Sequence, residues 1–375
     1  MFFRVAVLLL AAVFLWSVVR SPDAGNAAGL LVRNTPQLGW AIPFLPPGPA
    51  IVRSTVPTPG DPAERGTLYF PAAGGPWPGV VVLPGLVPLG REDPQVVTLS
   101  RSLADLGLAV YVPDLPGLKD GRMTGAALTA CALDVRWFAG SRYVQGPGVA
   151  LLGVCVGASL AILTAAEGSP PVRAVIALDP YASMRDLVQA ATTGEAPGPG
   201  GALEPFTMDP WAVAALARGA AYTVADPASR ATLLQAIGGE TSADPLAPLR
   251  DAAWPAHLSP AAAAWWRLLA NRSPKAFDGL YQALPSGVRD ELDALSPVRR
   301  VAAVRVPVLV LDPAVDTAYP PTEGRWLARG NPGRVELTVS PLVDHVTPDL
   351  EGADWQDLGR LWGFACRTVD ILREP

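Results

Sequence analysis

The sequence contains very little cysteine and histidine. Its 375 residues include three cysteines and two histidines. Cys131, Cys155 and Cys366 are too few and too scattered for a disulfide framework, and they lack the CxxC or Cys/His spacing of a metal site. Because His257 and His345 are the two imidazoles, a histidine-rich metal site is excluded, and any imidazole chemistry has two candidates. We expect neither a metal ion nor a cofactor.

Charged residues are scarce as well, at 17% of the chain, and the formal net charge is -5. No cluster of lysine and arginine offsets this acidic balance, so a nucleic-acid partner is not expected. Half of the residues are hydrophobic, which is enough for a sizeable core and argues against extended disorder. The length suits one large domain with an insertion, or two domains.

One long apolar run, residues 5–19, stands near the start of the chain between Arg4 and Arg20. It falls between a signal-peptide core and the roughly 17 to 25 residues of a minimal membrane span. Because no convincing cleavage site follows, we favour an uncleaved anchor over a cleaved signal for residues 1–20. The positive charge before the run then predicts a membrane-anchored or secreted domain outside the cytoplasm. The Pro/Gly-rich residues 21–50 are expected to form a spacer.

Short apolar strands alternate with helical segments over residues 51–182 and again over residues 298–375. This alternation predicts βαβ units and a mostly parallel sheet with helices on both faces. Residues 183–297 show helical pieces without a clear strand, which predicts a helical insertion. Its tryptophans suit either a helix-packing core or the lining of a pocket. The predicted strands are 51–56, 66–70, 80–83, 109–112, 149–152, 172–178, 306–311 and 334–340.

One predicted strand turns sharply into a helix at Cys155, which has Gly153 before it and Gly157 after it. Such a turn needs small residues two before and two after the apex, because a Cβ atom there would collide with the neighbouring backbone. The side chain at the apex then projects above the edge of the sheet. Cys155 is therefore a candidate nucleophile. The alternative is a buried structural cysteine in a glycine-flanked turn.

A catalytic thiol needs a base, and it needs an acid that orients this base. In open α/β sheets such groups gather at the carboxyl ends of strands, and Asp316 and His345 each follow a predicted strand. The order Cys155, Asp316, His345 is the nucleophile, acid, histidine order of the α/β-hydrolase arrangement. Asp179 also follows a predicted strand and is a rival for the acid. His257 lies in the predicted insertion and is expected at the surface.

On these residues the chain resembles the α/β-hydrolase superfamily, and within it the dienelactone-hydrolase-like branch, where a Gly-x-Cys-x-Gly turn replaces the usual serine turn. The resemblance covers residues 51–182 and 297–372. It implies an α/β-hydrolase fold with an inserted helical cap. It also implies a triad that works through an acyl-enzyme, with Cys155 as nucleophile, His345 as base and Asp316 as orienting acid.

The loop after the third predicted strand reads Pro84, Gly85, Leu86. Members of the superfamily usually carry His-Gly there, and the dienelactone branch often has a glutamate that holds the resting thiol; this chain has neither. An oxyanion hole needs two backbone N–H groups, one from the residue after the nucleophile and one from this loop. Val156 supplies the first. We choose Leu86 for the second because Pro84 has no N–H; the alternative is that Pro84 and Gly85 form an ordinary turn.

The predicted function is hydrolysis of a carboxylic ester, lactone or thioester through a Cys-His-Asp triad and an acyl-enzyme. An acyltransferase, in which an alcohol or amine replaces water, would use the same groups. A third possibility is a catalytically degenerate, membrane-tethered binding protein. The expected partner is a small-molecule substrate, and membrane contact is expected through residues 1–20. Neither the identity of the substrate nor the oligomeric state follows from the motifs.

Overall fold

The structure is a computed structural model that describes residues 22–61 and 63–374. The predicted anchor or signal at residues 5–19 lies outside these described residues. Within them, no helix combines the length and the apolar character needed to cross a bilayer.

The core of the protein is an eight-stranded sheet. Its strands, together with two short pairs elsewhere, are β1 Ile51–Pro57, β2 Arg65–Pro71, β3 Trp77–Leu83, β4 Ala109–Pro113, β5 Val144–Val154, β6 Val172–Leu178, β7 Glu195–Pro197, β8 Leu203–Pro205, β9 Val308–Pro313, β10 Val335–Ser340, β11 Val343–Asp344 and β12 Thr347–Pro348. The order across the main sheet is β1-β2-β4-β3-β5-β6-β9-β10. Strand β2 runs antiparallel to β1 and β4, and the remaining neighbours are parallel. The predicted mostly parallel sheet is confirmed.

Helices cover both faces of this sheet, because successive side chains of each central strand point to opposite faces. Val80 and Val82 pack on one face and Val81 and Leu83 on the other, and all four are fully buried. The helices are α1 Pro22–Asn34, α2 Pro94–Asp105, α3 Gly125–Ala139, α4 Val156–Ala166, α5 Met184–Thr193, α6 Pro210–Tyr222, α7 Pro227–Ala236, α8 Ala247–Asp251, α9 Pro260–Leu269, α10 Pro274–Gln282, α11 Ser286–Ala294, α12 Glu323–Gly330 and α13 Trp355–Arg373.

Part of the expected spacer is a packed helix. Helix α1 contacts α2 and α13, and its Ala27 and Leu30 are buried in the same cluster as Val80 and Val369. The composition of residues 21–50 hid this helix, since its small apolar residues resemble those of a linker. The prolines that predicted a spacer follow it, and among them the segment at Pro36–Phe44 buries none of its residues.

Residues 183–297, called the helical insertion below, connect β6 to β9 and contain α5 to α11. They also contain an antiparallel pair, β7 and β8, that the sequence did not predict. Gly201 closes this hairpin by adopting a φ of 85° and donating its N–H to the carbonyl of Gly198. The strands are only three residues each, too short for a period-two pattern to be visible in the sequence.

The two connections between the helical insertion and the core lie side by side. Val298 N–H donates to the carbonyl of Ala182 over 3.0 Å, and Met184 N–H donates to Ser296 Oγ over 3.0 Å. From α12, the buried carboxylate of Glu323 accepts hydrogen bonds from the N–H groups of Ala182 and Ser183. Glu323 thus holds the first connection against the core.

We expect Glu323→Gln to stabilise the protein increasingly as the pH rises. Burial raises the pKa of Glu323 from 4.5 to about 8, against the lowering effect of the hydrogen bonds from Ala182 and Ser183. A carboxyl whose pKa is raised on folding contributes its full stability below about pH 4.5 and loses it as the pH approaches about 8. Glutamine keeps an acceptor for both N–H groups without a titrating proton.

Thermal unfolding of wild type and of Glu323→Gln from about pH 5 to about pH 8 measures this difference in stability. The midpoint of Glu323→Gln should rise relative to wild type with pH, whereas the exposed control Glu351→Gln should follow wild type throughout. Glu323→Ala removes both hydrogen bonds and should be destabilised at every pH. A constant difference between Glu323→Gln and wild type would contradict the role given to this carboxyl.

Candidate active site

Cys155 stands at the tip of the turn that joins β5 to α4. It has φ 56° and ψ -125°, a conformation that costs free energy for any residue with a side chain. The flanking glycines make the turn possible: a Cβ on Gly153 would lie 2.3 Å from the carbonyl oxygen of Gly157, and one on Gly157 would lie 2.1 Å from that of Leu83. The sharp strand-to-helix turn predicted from these two glycines is present.

Three non-glycine residues have positive φ among the residues that the structure describes: Cys155, Asp179 and His345. Their φ angles are 56°, 53° and 50°. They lie far apart in the sequence, at the ends of β5 and β6 and in the turn between β11 and β12. Backbone strain of this kind persists only where the surrounding structure imposes it, and it collects at functional sites. The coincidence marks this edge of the sheet as the candidate site.

His345 points its Nδ1 atom at two carboxyl groups. Nδ1 lies 2.5 Å from Oδ2 of Asp179 and 3.3 Å from Oδ2 of Asp316. The contact with Asp316 has hydrogen-bond geometry, while Oδ2 of Asp179, although nearer, makes no well-aligned hydrogen bond within the described residues. Asp316 is fixed in turn by the N–H of Ala318, which donates to its Oδ1 over 2.6 Å. The structure therefore brings Cys155, His345 and Asp316 together and adds Asp179, the rival acid, to the same group.

The two carboxyls respond differently to this environment. Burial raises the pKa of Asp179 well above its usual range, and the neighbouring Asp316 raises it further. Burial also acts on Asp316, but hydrogen bonds from His345, Asp179 and Ala318 outweigh it and lower the pKa of Asp316. Two like carboxyls this close share one negative charge, and these directions place that charge on Asp316 and the proton on Asp179.

His345 is held in its charged form. Burial lowers its pKa, but the contacts with Asp179, Asp316 and Cys155 outweigh burial, so that the net pKa lies well above the usual range. Two aromatic rings pack edge-on against the imidazole, Trp211 and Tyr319, each with its centroid 5.7 Å away. The ring is thus fixed in orientation from both sides as well as through Nδ1.

Sequence reasoning missed Tyr319. Its hydroxyl lies 3.0 Å from Sγ of Cys155, in the loop that also carries Asp316. Burial raises the pKa of Tyr319 well above its ordinary value, and the charge of Cys155 adds to this, so the phenol stays protonated and can donate to sulfur. Tyr319 follows the predicted acid, Asp316, by three residues, which was a weak sign that it lies near the site. No known motif spacing identifies a tyrosine at this position as a functional residue.

We expect Tyr319→Phe to slow alkylation of Cys155 by iodoacetamide at neutral pH by about tenfold or more, because a hydrogen bond to a charged group contributes roughly 1.5–3 kcal/mol. The rate constant of alkylation at neutral pH measures this effect. The matched control is Tyr281→Phe on α10, because the buried hydroxyl of Tyr281 is remote from the candidate site and lacks a hydrogen-bond partner among the described residues. An unchanged rate in Tyr319→Phe would mean that Tyr319 only fills space.

The two residues chosen for the oxyanion hole lie beside the nucleophile. Val156 opens α4, where the first N–H groups of a helix have no partner within it. The loop with Leu86 passes close to the turn, since a Cβ on Gly85 would lie 3.1 Å from Cβ of Cys155. Val156 and Leu86 both line the cavity described next. Their role as oxyanion donors stays a prediction.

An apolar cavity of about 80 Å³ opens between the core and the helical insertion next to this site. Trp211 and Trp265 line it, whereas Trp254 and Trp266 contact each other elsewhere. The prediction of a pocket lining thus holds for Trp211 and Trp265; Trp266 is buried on α9, and Trp254 is exposed outside the helices. All three methionines after Met1 contribute to the cavity wall, namely Met123, Met184 and Met208.

The other cysteines and the second histidine lie apart from the site. Cys131 is fully buried in α3, where Thr164 donates a hydrogen bond to its sulfur, and Cys366 is half-buried in α13. His257 is exposed in the helical insertion, as expected. Asp179, Asp316 and His345 would also offer a cation three ligand atoms within 4.8 Å of one another. Both carboxyls face Nδ1 of His345, as groups that orient a histidine would.

Sequence comparison finds a curated relative and no matching family model. The relative is the bile acid-CoA:amino acid N-acyltransferase of Mus musculus, 33% identical over 116 residues, or 31% of this chain. The chain spans 26% of the length of that protein. The likeness therefore concerns a limited part of both proteins.

Comparison with solved structures extends over most of the chain. The complex of DcsB with its substrate analogue has a TM-score of 0.50 and 16% identity, and covers 85% of this chain and 99% of its own. A protein assigned as a dienelactone hydrolase from Klebsiella pneumoniae has a TM-score of 0.46 and 14% identity, and covers 87% and 100%. At such identities the likeness concerns the fold. Together with the strand order and the cysteine turn at the end of β5, the likeness to the DcsB complex shows that this chain has the α/β-hydrolase fold, as the resemblance of its motifs implied.

Proposed function

We propose that the protein is a cysteine-dependent hydrolase of carboxylic esters, lactones or thioesters. The observation that carries this proposal is the meeting of Cys155, Asp179 and His345, each on strained backbone, at one edge of the sheet. A structural cysteine needs neither a positive φ nor a fixed imidazole beside it. Nucleophilic catalysis needs both a nucleophile held in a fixed position and an oriented base.

The geometry supports the following sequence of steps. With the proton held on His345, the sulfur of Cys155 attacks the substrate carbonyl as a thiolate, and the oxyanion forms opposite the N–H groups of Val156 and Leu86. His345 then donates its proton to the departing alcohol or thiol, which leaves an acyl group on sulfur. A water molecule attacks this thioester while neutral His345 accepts its proton, which releases the acid and restores the starting state.

A second candidate function is acyl transfer to an amine. The sequence likeness to the mouse N-acyltransferase favours it, since that protein is named for transfer from a coenzyme A thioester to an amino acid. The first half of the reaction would be identical, with amine in place of water in the second half. Apolar walls beside the nucleophile would favour transfer over hydrolysis, because they keep water away from the acyl-enzyme.

The test is incubation with a panel of acyl esters, lactones and acyl-coenzyme A thioesters, with and without glycine as acceptor. Hydrolysis predicts free acid in both cases, and transfer predicts acyl-glycine when glycine is present. Mass spectrometry of quenched protein should find the acyl group on Cys155. Turnover without any acyl adduct on this residue would exclude the proposed mechanism.

A further inference from the structure

A second and larger space lies in the helical insertion, apart from Cys155. It is an open cleft of about 340 Å³ among α8, α9 and α10, whereas the cavity beside Cys155 has about 80 Å³. Helix α9 lies between the two, since Trp265 lines the cavity and the next residue, Trp266, lines the cleft. Binding sites for small molecules commonly measure from about 300 to 1,000 Å³. The cleft is therefore large enough for a small molecule of its own. We call it the insertion cleft, and its walls include Leu249, Arg250, Trp254, Trp266, Arg267 and Leu280.

The insertion cleft has an aromatic wall. Trp266 and Leu249 are buried in it, and Trp254 packs edge-on against Trp266 with ring centroids 6.3 Å apart. Trp254 nevertheless remains 49% exposed. An indole in this position leaves part of its ring free to contact another flat ring. The wall therefore suits a planar aromatic group.

The charge of the cleft wall is positive. Arg250 and Arg267 are the two charged residues among the described residues that line it. Arg250 is paired, because its Nη1 lies 2.5 Å from Oδ2 of Asp244, an atom that Nη2 of Arg272 also contacts over 2.7 Å. Two arginines thus share one carboxylate at the edge of the cleft. In a chain with a net charge of -5, this local excess of positive charge favours an anionic ligand.

Arg267 is a cation without a carboxylate. Its guanidinium carbon lies 4.7 Å from the centroid of the Trp254 ring, and within the described part of the chain no ion pair or side-chain hydrogen bond joins it to another residue. A guanidinium that lies over a ring uses its face, so the N–H donors in its plane stay free to bind a carboxylate through two hydrogen bonds. Arg267 therefore places an anion-binding group directly beside the exposed indole of Trp254.

We propose that the insertion cleft is a binding site for a small aromatic carboxylate. The ring of this ligand would lie against Trp254, and its carboxylate would accept hydrogen bonds from Arg267. A carboxylate fits better than a phosphate monoester, because Arg267 offers one unmatched charge and a phosphate monoester carries about -1.5 to -2. This site goes beyond the proposed function, since Cys155 takes no part in it.

The experiment is isothermal titration calorimetry of the full chain with three probes. They are 2-naphthoate, its uncharged counterpart 2-naphthamide, and cyclohexanecarboxylate, which keeps the charge and lacks the aromatic ring. Wild type should bind one molecule of 2-naphthoate per chain. It should bind 2-naphthamide at least about tenfold more weakly, as expected when hydrogen bonds to a charged group are lost. Cyclohexanecarboxylate should also bind more weakly than 2-naphthoate, because it cannot stack on an indole.

Two variants locate the binding in the insertion cleft. Arg267→Met keeps a long apolar side chain without the charge, so it should bind 2-naphthoate at least about tenfold more weakly and 2-naphthamide as wild type does. Trp254→Leu should weaken the binding of 2-naphthoate by about threefold or more. Arg329→Met is the matched control and should bind like wild type, because Arg329 lies over another ring, that of Trp326, at 5.1 Å on α12.

The test is independent of catalysis. Cys155→Ala should bind 2-naphthoate as wild type does, so the absence of ester turnover would count against the proposed function and leave this site unaffected. Equal affinity of wild type for 2-naphthoate and 2-naphthamide would overturn the proposal. Unchanged binding of 2-naphthoate in Arg267→Met, or its failure to bind wild type, would overturn it as well.

Discussion

Cys155→Ala should lose essentially all ester and thioester turnover, a drop of about 10⁴-fold or more in kcat, because no other group at this edge of the sheet can form the acyl intermediate. Sγ of Cys155 is the atom on which Tyr319 and His345 converge. Cys155→Ser should recover little of this loss. Its hydroxyl is a far weaker acid than a thiol, so it would not form the anion that the thiol can supply beside His345.

The kcat of Cys155→Ala and of Cys155→Ser is measured in steady state with the acyl ester that wild type prefers. Cys131→Ala is the matched control, since it removes the other fully buried thiol, which lies in α3. It should cost stability and leave the rate per folded molecule as in wild type. If Cys155→Ala kept an activity near that of wild type, the mechanism would be refuted. Mass spectrometry of the variant should show that this activity does not come from contaminating wild-type protein.

The two aspartates at His345 should not be equivalent. Asp179→Asn should reduce kcat by no more than about fivefold, because an amide reproduces the neutral, hydrogen-bonding carboxyl that Asp179 presents. Asp316→Asn removes the negative charge that stabilises the imidazolium. It should cost roughly a hundredfold, less than the about 10⁴-fold seen when a sole triad aspartate is lost, because Asp179 can then ionise in its place.

In the double variant of Asp179→Asn and Asp316→Asn, neither side chain can carry the negative charge in place of the other. Its kcat should fall by about 10⁴-fold. Such a loss would far exceed the product of the two single effects, the mark of groups that act together. Asp134→Asn is the control, a buried carboxyl on α3 that contacts Gly60 and lies away from His345. If Asp179→Asn were the more damaging single variant, Asp179 would be the orienting anion and Asp316 its partner.

The fold class could be predicted because its signals are local. Gly153 and Gly157 mark the turn at Cys155 through a collision that any larger residue would cause, and the apolar strands are short, regular and separated by helices. The strand ends also pointed to Asp316 and His345, since parallel strands bring their carboxyl ends to one edge. These inferences need no knowledge of how distant segments pack.

The details of the site depend on such packing and lay beyond the sequence. Whether Asp179 or Asp316 orients His345 is decided by angles at Nδ1, and the structure places both carboxyls there. Tyr319 contacts Cys155 from 164 residues further along the chain. The hydrogen bond from Trp265 to Thr223 joins residues 42 positions apart and likewise leaves no pattern along the chain.

The paired connections of the helical insertion carry a consequence for how this protein could diversify. Ala182 and Val298 are already hydrogen-bonded where the insertion leaves and re-enters the core. The ends of the inserted segment are thus in contact, and because the entropy cost of closing a loop grows only slowly with its length, the core tolerates inserted segments of different lengths. A different helical segment, or a short turn, could be joined at the same two points and leave β6 paired with β9. The helical insertion is therefore separable from the edge of the sheet that carries Cys155, and recombination could exchange it independently.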